Sequence, residues 1–410
     1  MDCYTVNIGK RRTAMKAFIG AKIYDTDSKS FIDRDIVTDG GIIKDILPHG
    51  AVRASGGFER SGCDAAVVLP GSCIADCTGK YIIPGLIDIH THGAVGTEFD
   101  GKHGGDIGKP LGYYLSHGVT GIFPTTATEK IEDLYTFAGT LSKNRDSYSA
   151  DVLGYHMEGP YLSKEKKGAH NEALLKNPDI GELHEMFRLL DGRVKFRVTL
   201  APELPGAVEY IKEAAKCGVS VTLGHTDATA EIIYKALDAG ASSMTHLYNA
   251  MSPLGHREPG AVGAGLISDC FCELICDGFH VCPDVVKLTY SIKKDKLVLI
   301  TDSLMCAGMK EDFTFMNAGE TVYYHDGHAL LANGTIAGSS LNLFDGVKNL
   351  SAFAGIPFAE ALYCATASPA KAAGVYDKVG SLEVGKTADI VVLGEALDIL
   401  SVYIKGEKRL

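Results

Sequence analysis

The sequence predicts an α/β protein: a (β/α)8 barrel of the TIM type, with a small β-sandwich domain built from both chain ends. Three observations predict it. From Tyr81 onward, short apolar runs alternate with helix-length amphipathic stretches. Before Tyr81, and again after about Gly374, the runs are β-like and separated by Gly, Ser and Asp. Histidines and carboxylates recur where the central apolar runs stop. Eight β/α repeats across roughly 250–300 residues suit a closed barrel. A doubly wound open sheet is the competing architecture. No Gly-x-Gly-x-x-Gly closes the first strand, which counts against it.

The elements follow in order. Ala17–Tyr24, Asp35–Ile46, Ala65–Leu69 and Cys73–Asp76 read as short strands. Residues 1–15 read as a loose extension, and Gly/Ser-rich Arg53–Cys63 as a hairpin loop or insertion. Barrel strands are expected at Ile82–His90, Val119–Pro124, Val152–Glu158, Val194–Leu200, Val219–His225, Ser243–His246, Glu273–Asp277 and Leu297–Asp302. Helical patterns lie between most of them, as at Pro205–Cys217, Ala228–Ala239 and Pro283–Lys293. Gly380–Leu393 and Ile399–Lys405 are β-like again. A closed barrel offers these last strands no edge, so they pair with the N-terminal ones. The expected domains are therefore 1–79 with 375–410, and a barrel over 80–374.

Composition narrows the function. The 410 residues are 46% hydrophobic and 22% charged, enough to build a sizeable core. A net charge of -11 argues against a broad nucleic-acid surface, but a local Arg/His pocket can still hold an anion. No apolar run reaches membrane-spanning length, and Met1–Lys16 lacks the apolar core of a signal peptide. The 11 cysteines, an odd count, suit free thiols in a reducing cytoplasm. Cys270, Cys272, Cys276 and Cys282 lack the paired spacing of a structural zinc site and read as small hydrophobes.

The polar residues carry the chemistry. His90 and His92 are two apart at the end of the first barrel strand, so both rings face one way. Glu158 ends the third strand, His225 the fifth, His246 the sixth and Asp302 the eighth. Each alone has a plainer reading: a packed histidine, a carboxylate paired with lysine, a helix cap. All of them together at the C-terminal rim of a barrel form a site for a hydrolytic divalent metal. Asp302, late in the strand order, is the candidate acid/base, and Glu158 could bind one ion or bridge two. Zn2+, Fe2+, Mn2+ and Co2+ all suit such ligands. His156 shares a face with Glu158 and reads as its neighbour rather than a ligand. The charged segment Ser163–Lys167 reads as either a lid or a solvated turn.

At this point the residues resemble a known family. Pro84-Gly-Leu-Ile-Asp-Ile-His-Thr-His-Gly93 is similar to a motif shared across the amidohydrolase superfamily. Within it, the chain resembles the N-acetylglucosamine-6-phosphate deacetylases. The motifs are Gly154-Tyr-His-Met-Glu-Gly-Pro160, Gly168-Ala-His-Asn171, Gly224-His-Thr-Asp227, Thr245-His-Leu-Tyr-Asn-Ala-Met251, Arg257-Glu-Pro-Gly260, Asp277-Gly-Phe-His280 and Thr301-Asp302. The resemblance implies hydrolysis of the N-acetyl group of a 6-phosphorylated amino sugar. It implies Glu158, His225 and His246 as principal metal ligands, with His90 and His92 adding a second ion. It implies Asp302 as acid/base and His170 as the group that polarises the acetyl carbonyl. Asn249, Ala250, Arg257, His280 and Gly159 become the substrate contacts, with Arg257 reaching a neighbouring subunit of a homodimer.

Two other readings compete. One is an amidohydrolase acting on a cyclic amide, such as a dihydroorotase. Many of these bridge their metals with a carboxylated lysine, and here Lys195 starts the fourth strand instead of ending it. The other is a barrel that has lost catalysis and serves as a scaffold. Such a chain should lack ligands or the acid/base, and none is missing.

Overall fold

The computed structural model describes residues 15–55, 67–100 and 107–410. The extension expected at 1–15 lies outside the described residues apart from Met15, as does most of the Arg53–Cys63 segment. The strand expected at Ala65–Leu69 is seen as Val67–Leu69.

Two units emerge: Met1–Gly85 with Ser381–Leu410, and Leu86–Gly380. Both boundaries fall six residues later than the expected 79/80 and 374/375. The reason lies in the apolar run expected as one strand, Ile82–His90. It is two strands, Tyr81–Pro84 and Leu86–Thr91, parted at Pro84-Gly85. Tyr81–Pro84 pairs antiparallel with Ile390–Leu393, through Val391↔Ile83, and so belongs to the smaller unit. At the other boundary, Val375 and Val379 pack with Ile87, Ile89 and Ile300 of the barrel core.

In the smaller unit, the long strand Ser30–Asp39 serves two halves of one mixed sheet. Its first part pairs with Lys22–Asp25 and its second with Lys16–Ile19. Phe18, Ile23, Ile36, Ile43, Ile82, Ile390 and Val392 come together from both halves in one apolar cluster. Strands from both chain ends thus bury a common core, as expected of a sandwich.

The larger unit is the barrel. Its strands are β1 (Leu86–Thr91), β2 (Val119–Thr126), β3 (Gly154–Glu158), β4 (Lys195–Leu200), β5 (Ser220–Leu223), β6 (Ser243–Met244), β7 (Phe271–Ile275) and β8 (Leu297–Ile300). Each is parallel to the next. Closure between β8 and β1 comes at the rim. The Asp302 N–H donates to the His90 carbonyl at 2.9 Å, and the His92 N–H to the Ser303 carbonyl at 2.8 Å.

The outer helices show why these sequences fold this way. Ile180–Leu190 is capped by Asp179, whose carboxylate accepts the N–H of Gly181 (2.6 Å) and Glu182 (3.2 Å). It buries Leu183, Met186 and Leu190, three and four residues apart, on one face. Ala207–Lys216 buries Ala207, Tyr210, Ile211 and Ala214 in the same pattern.

One element was not foreseen. After β8 comes a three-stranded antiparallel sheet: β9 (Phe313–Asn317), β10 (Glu320–His325) and β11 (His328–Leu331). It is seated on Leu304, Cys306 and Ala337 through Phe315, Val322, Tyr324 and Ala329. Asp326-Gly327, with φ of 49° and 81°, makes the tight turn between β10 and β11.

Candidate metal centre and active site

Every strand-end residue singled out in the sequence reaches one place. β1 delivers His90 and His92, and β3 delivers Glu158. His225, His246 and Asp302 stand two residues past the ends of β5, β6 and β8. All are buried. The last three have φ of 46°, 28° and 49°, a left-handed backbone that costs a residue with a Cβ about 1–3 kcal/mol. Such strain at three strand ends aims these side chains inward.

Glu158 is the centre. Its Oε1 lies 2.9 Å from His246 Nε2 and 3.3 Å from His225 Nε2, and those two nitrogens are 3.1 Å apart. Its Oε2 lies 2.9 Å from His92 Nε2 and 3.3 Å from His90 Nε2. Asp302 Oδ1 completes that side at 3.2 Å from His92 Nε2 and 3.5 Å from His90 Nε2. Ligand atoms 2.0–2.1 Å from one tetrahedral ion stand about 3.3–3.4 Å apart. Both oxygens of Glu158 therefore face donor sets with nearly the spacing of a divalent ion's ligands. His90 Nε2 is buried without a hydrogen-bond partner although two carboxylate oxygens are near, which fits a cation ligand better than a hydrogen-bonded ring.

The electrostatics agree. Burial would raise the Glu158 carboxyl, but His90 and the other rings hold it well below the usual range. Asp302 behaves alike: burial opposes ionisation, yet His90 and His92 bring it down to about 2. These carboxylates are poised for positive charge, which a metal ion supplies.

His170 stands at the edge of this cluster, its Nε2 3.7 Å from Glu158 Oε2. Its Nδ1 accepts the backbone N–H of Thr128 at 3.2 Å. The ring proton is then on Nε2, facing the site. Burial, with His225 next, pulls its pKa down to about 4, so the ring is neutral.

A cavity of about 480 Å³ opens above these groups. His92, Glu158, His170, His225, His246 and Asp302 form its floor, and Asn249, Ala250 and His280 line it. His280 Nδ1 is 2.6 Å from Asp277 Oδ2. Glu165, Lys166 and Gly168 bring the charged segment after β3 into the wall, and Lys166 pairs with Asp227 at 3.3 Å. Asn317 and Ala318, at the β9–β10 turn, line the cavity as well. Two expected contacts do not line the cavity. Arg257 is exposed on the loop after β6. Gly159 (φ 82°) lies against Thr128 instead. His156 bonds to Thr199 (2.8 Å) and Thr125 (3.2 Å) and makes no ligand.

The chain matches the amidohydrolase family model over residues 81–409. The chain belongs to the amidohydrolase family. Among curated relatives of this amidohydrolase, the Escherichia coli N-acetylgalactosamine-6-phosphate deacetylase is 35% identical, over 82% of this chain and 89% of its own. The Haemophilus influenzae N-acetylglucosamine-6-phosphate deacetylase is 33% identical, over 88% and 95%. The solved N-acetylglucosamine-6-phosphate deacetylase of Pasteurella multocida superposes with a TM-score of 0.83 at 33% identity, covering 96% of this chain and 99% of its own.

Four residues of this amidohydrolase escaped the sequence reading. Arg197 and Glu273 lie fully buried inside the barrel and form an ion pair. Their signal was a charge within a strand otherwise apolar, Phe271–Ile275, or nearly so, Lys195–Leu200. Asn317 belongs to the unforeseen sheet, which the Asp326-Gly327 pair between alternating runs could have announced. Thr128 carries no local signal, since its backbone N–H and hydroxyl meet His170 only 42 residues further along the chain.

Proposed function

We propose that this amidohydrolase removes the acetyl group of N-acetyl-D-glucosamine 6-phosphate, giving D-glucosamine 6-phosphate and acetate, in amino-sugar breakdown. The observation that carries this reading is Glu158, shared between His225/His246 and His90/His92/Asp302 on the floor of one cavity. Deacetylases acting on such sugars among the relatives support the substrate.

Glu158, His225 and His246 would hold one divalent ion, and His90 and His92, with Glu158 between, a second; Zn2+, Fe2+, Mn2+ or Co2+ would serve. Bound there, such an ion lowers the pKa of water from 15.7 to about 7 and polarises a carbonyl. The protein's residues do the rest. Asp302 takes the proton of the attacking water and delivers it to the amine nitrogen as the C–N bond breaks. His170 donates its Nε2–H to the acetyl oxygen, where negative charge gathers. Asn249, Ala250 and His280 hold the sugar phosphate, and Gly159 leaves room for the Thr128 side chain that bonds to His170.

The resemblance assigns Arg257 to the phosphate of a neighbouring subunit in a homodimer, and its exposed place outside its own cavity is compatible with that role. The free cysteines among the described residues support a reducing cytoplasmic location. No described helix is long and apolar enough to cross a membrane.

The test is acetate release from N-acetylglucosamine 6-phosphate by protein loaded with each metal in turn. Turnover lost on chelation and restored by metal is the expected result. Full metal loading without acetate release would reject the reading. The galactosamine epimer belongs in the same assay, given the name of the Escherichia coli relative.

A further inference from the structure

The metal cluster rests on a second layer of charge that the reaction does not use. Glu273 on β7 and Arg197 on β4 are both fully buried inside the barrel. Arg197 gives one guanidinium nitrogen to Glu273 and to Ser243 Oγ (3.0 Å), and the other to Ser220 Oγ (3.0 Å). The other oxygen of Glu273 lies 3.0 Å from His90 Nδ1 and also accepts the His246 backbone N–H at 3.3 Å.

A buried ion pair is a poor device for stability. Its desolvation cost commonly cancels its attraction, and apolar residues of similar volume do as well or better. The pair therefore calls for another reason. The geometry supplies one. Carboxylate oxygen accepts only, so His90 must donate Nδ1–H to Glu273. The lone pair of His90 is then on Nε2, the atom that faces Glu158 and Asp302. Arg197 balances the charge of the buried carboxylate and is itself tied to strands β5 and β6.

We infer that Glu273, its buried charge balanced by Arg197, is a positioning residue that aims His90 at the ion of the His90/His92 side. The role is specific to that side. His246 receives from Glu273 only a backbone contact, and His225 orients itself through Nδ1 and the Lys166 carbonyl at 2.8 Å. Outer partners of this kind typically change metal affinity about 10- to 100-fold. The inference rests on the two-ion reading above.

Two double variants separate aiming from packing. Arg197→Met with Glu273→Gln removes both charges but keeps an oxygen that can accept Nδ1–H. Arg197→Met with Glu273→Leu removes both charges and the acceptor. Neither leaves a buried unpaired charge, so both are expected to fold, checked by thermal melting. Co2+ binding is then titrated against a chelator, its visible spectrum reporting occupancy. The expected result is two ions per chain in the wild type, near wild-type affinity in the Gln variant, and about 10- to 100-fold weaker binding of one ion in the Leu variant. Equal affinity for both ions in the two variants overturns the inference and leaves the metal reading intact. A wild type that takes fewer than two ions overturns the two-ion reading, and the inference with it. Restoration of tight binding in the Leu-to-Gln direction is an outcome that a purely structural role would not produce.

Discussion

A side chain on Gly159 would place its Cβ 2.1 Å from the hydroxyl oxygen of Thr128. Thr128 in turn fixes His170, through its backbone N–H and its hydroxyl, 2.8 Å from Nδ1. Gly159 also has a φ of 82°, which favours glycine. Gly159→Ala is thus expected to cost about 2–5 kcal/mol of stability from strain and overpacking together. It should also lower kcat in whatever protein folds, by displacing His170. Thermal melting and steady-state kinetics check both; an unchanged kcat would separate Gly159 from His170.

His170 sits near Glu158 and His225 closely enough to be mistaken for a metal ligand. Its Nδ1 is occupied by Thr128 and its Nε2 carries the proton, so it should act as a donor instead. His170→Gln is expected to lower kcat about 100- to 1,000-fold, the range for losing one oxyanion donor, with metal per chain unchanged. Loss of an ion in elemental analysis would make His170 a ligand and remove it from the carbonyl.

Asp302 is held as a carboxylate at neutral pH by His90 and His92, which is the form that can take a proton from a water acidified by a bound ion. Asp302→Asn keeps the shape and removes that capacity. Turnover should fall about 100- to 10,000-fold while the ions held through Glu158 stay bound. A wild-type rate in the Asn variant would reject Asp302 as the base.

How far the sequence could be read depended on what each residue needed from its neighbours. His90 and His92 were legible because a strand's period of two fixes where both rings point, and Glu158, His225, His246 and Asp302 because barrel strands end at one rim. β6 spans only Ser243–Met244, yet the histidine after it still marked its end. The run from Ile82 misled because apolar residues continue from Tyr81–Pro84 into Leu86–Thr91, and only Pro84-Gly85 tells that one sheet stops and another begins. Glu273 and Arg197 were invisible as a pair. They lie 76 residues apart, and only closure of the barrel sets them against each other. The sheet of β9–β11 alternates as a hairpin should, but nothing local says that its β9–β10 turn will line the same cavity as His170.

Arg257 poses the last test. It is exposed on the loop that follows β6, while Asn249 and Ala250 from the same loop line the cavity. A substrate phosphate carries nearly two negative charges, and this chain's net charge is -11, so a local cation is needed. If Arg257 serves the partner's cavity, Arg257→Ala should raise KM strongly for the phosphorylated sugar and little for the free one. The Ala variant and Asp302→Asn would then complement each other. A mixed dimer holds one cavity with an intact Asp302 and an arginine from the other subunit. Assayed with phosphorylated sugar well below the KM of the Ala variant, where both parents are nearly silent, random reassortment should recover about a quarter of wild-type activity, since half the dimers are mixed and each has one sound site. Equal effects of Arg257→Ala on both sugars would remove Arg257 from the phosphate. Activity that fails to recover on mixing, with exchange of subunits shown independently, would confine its action to its own subunit.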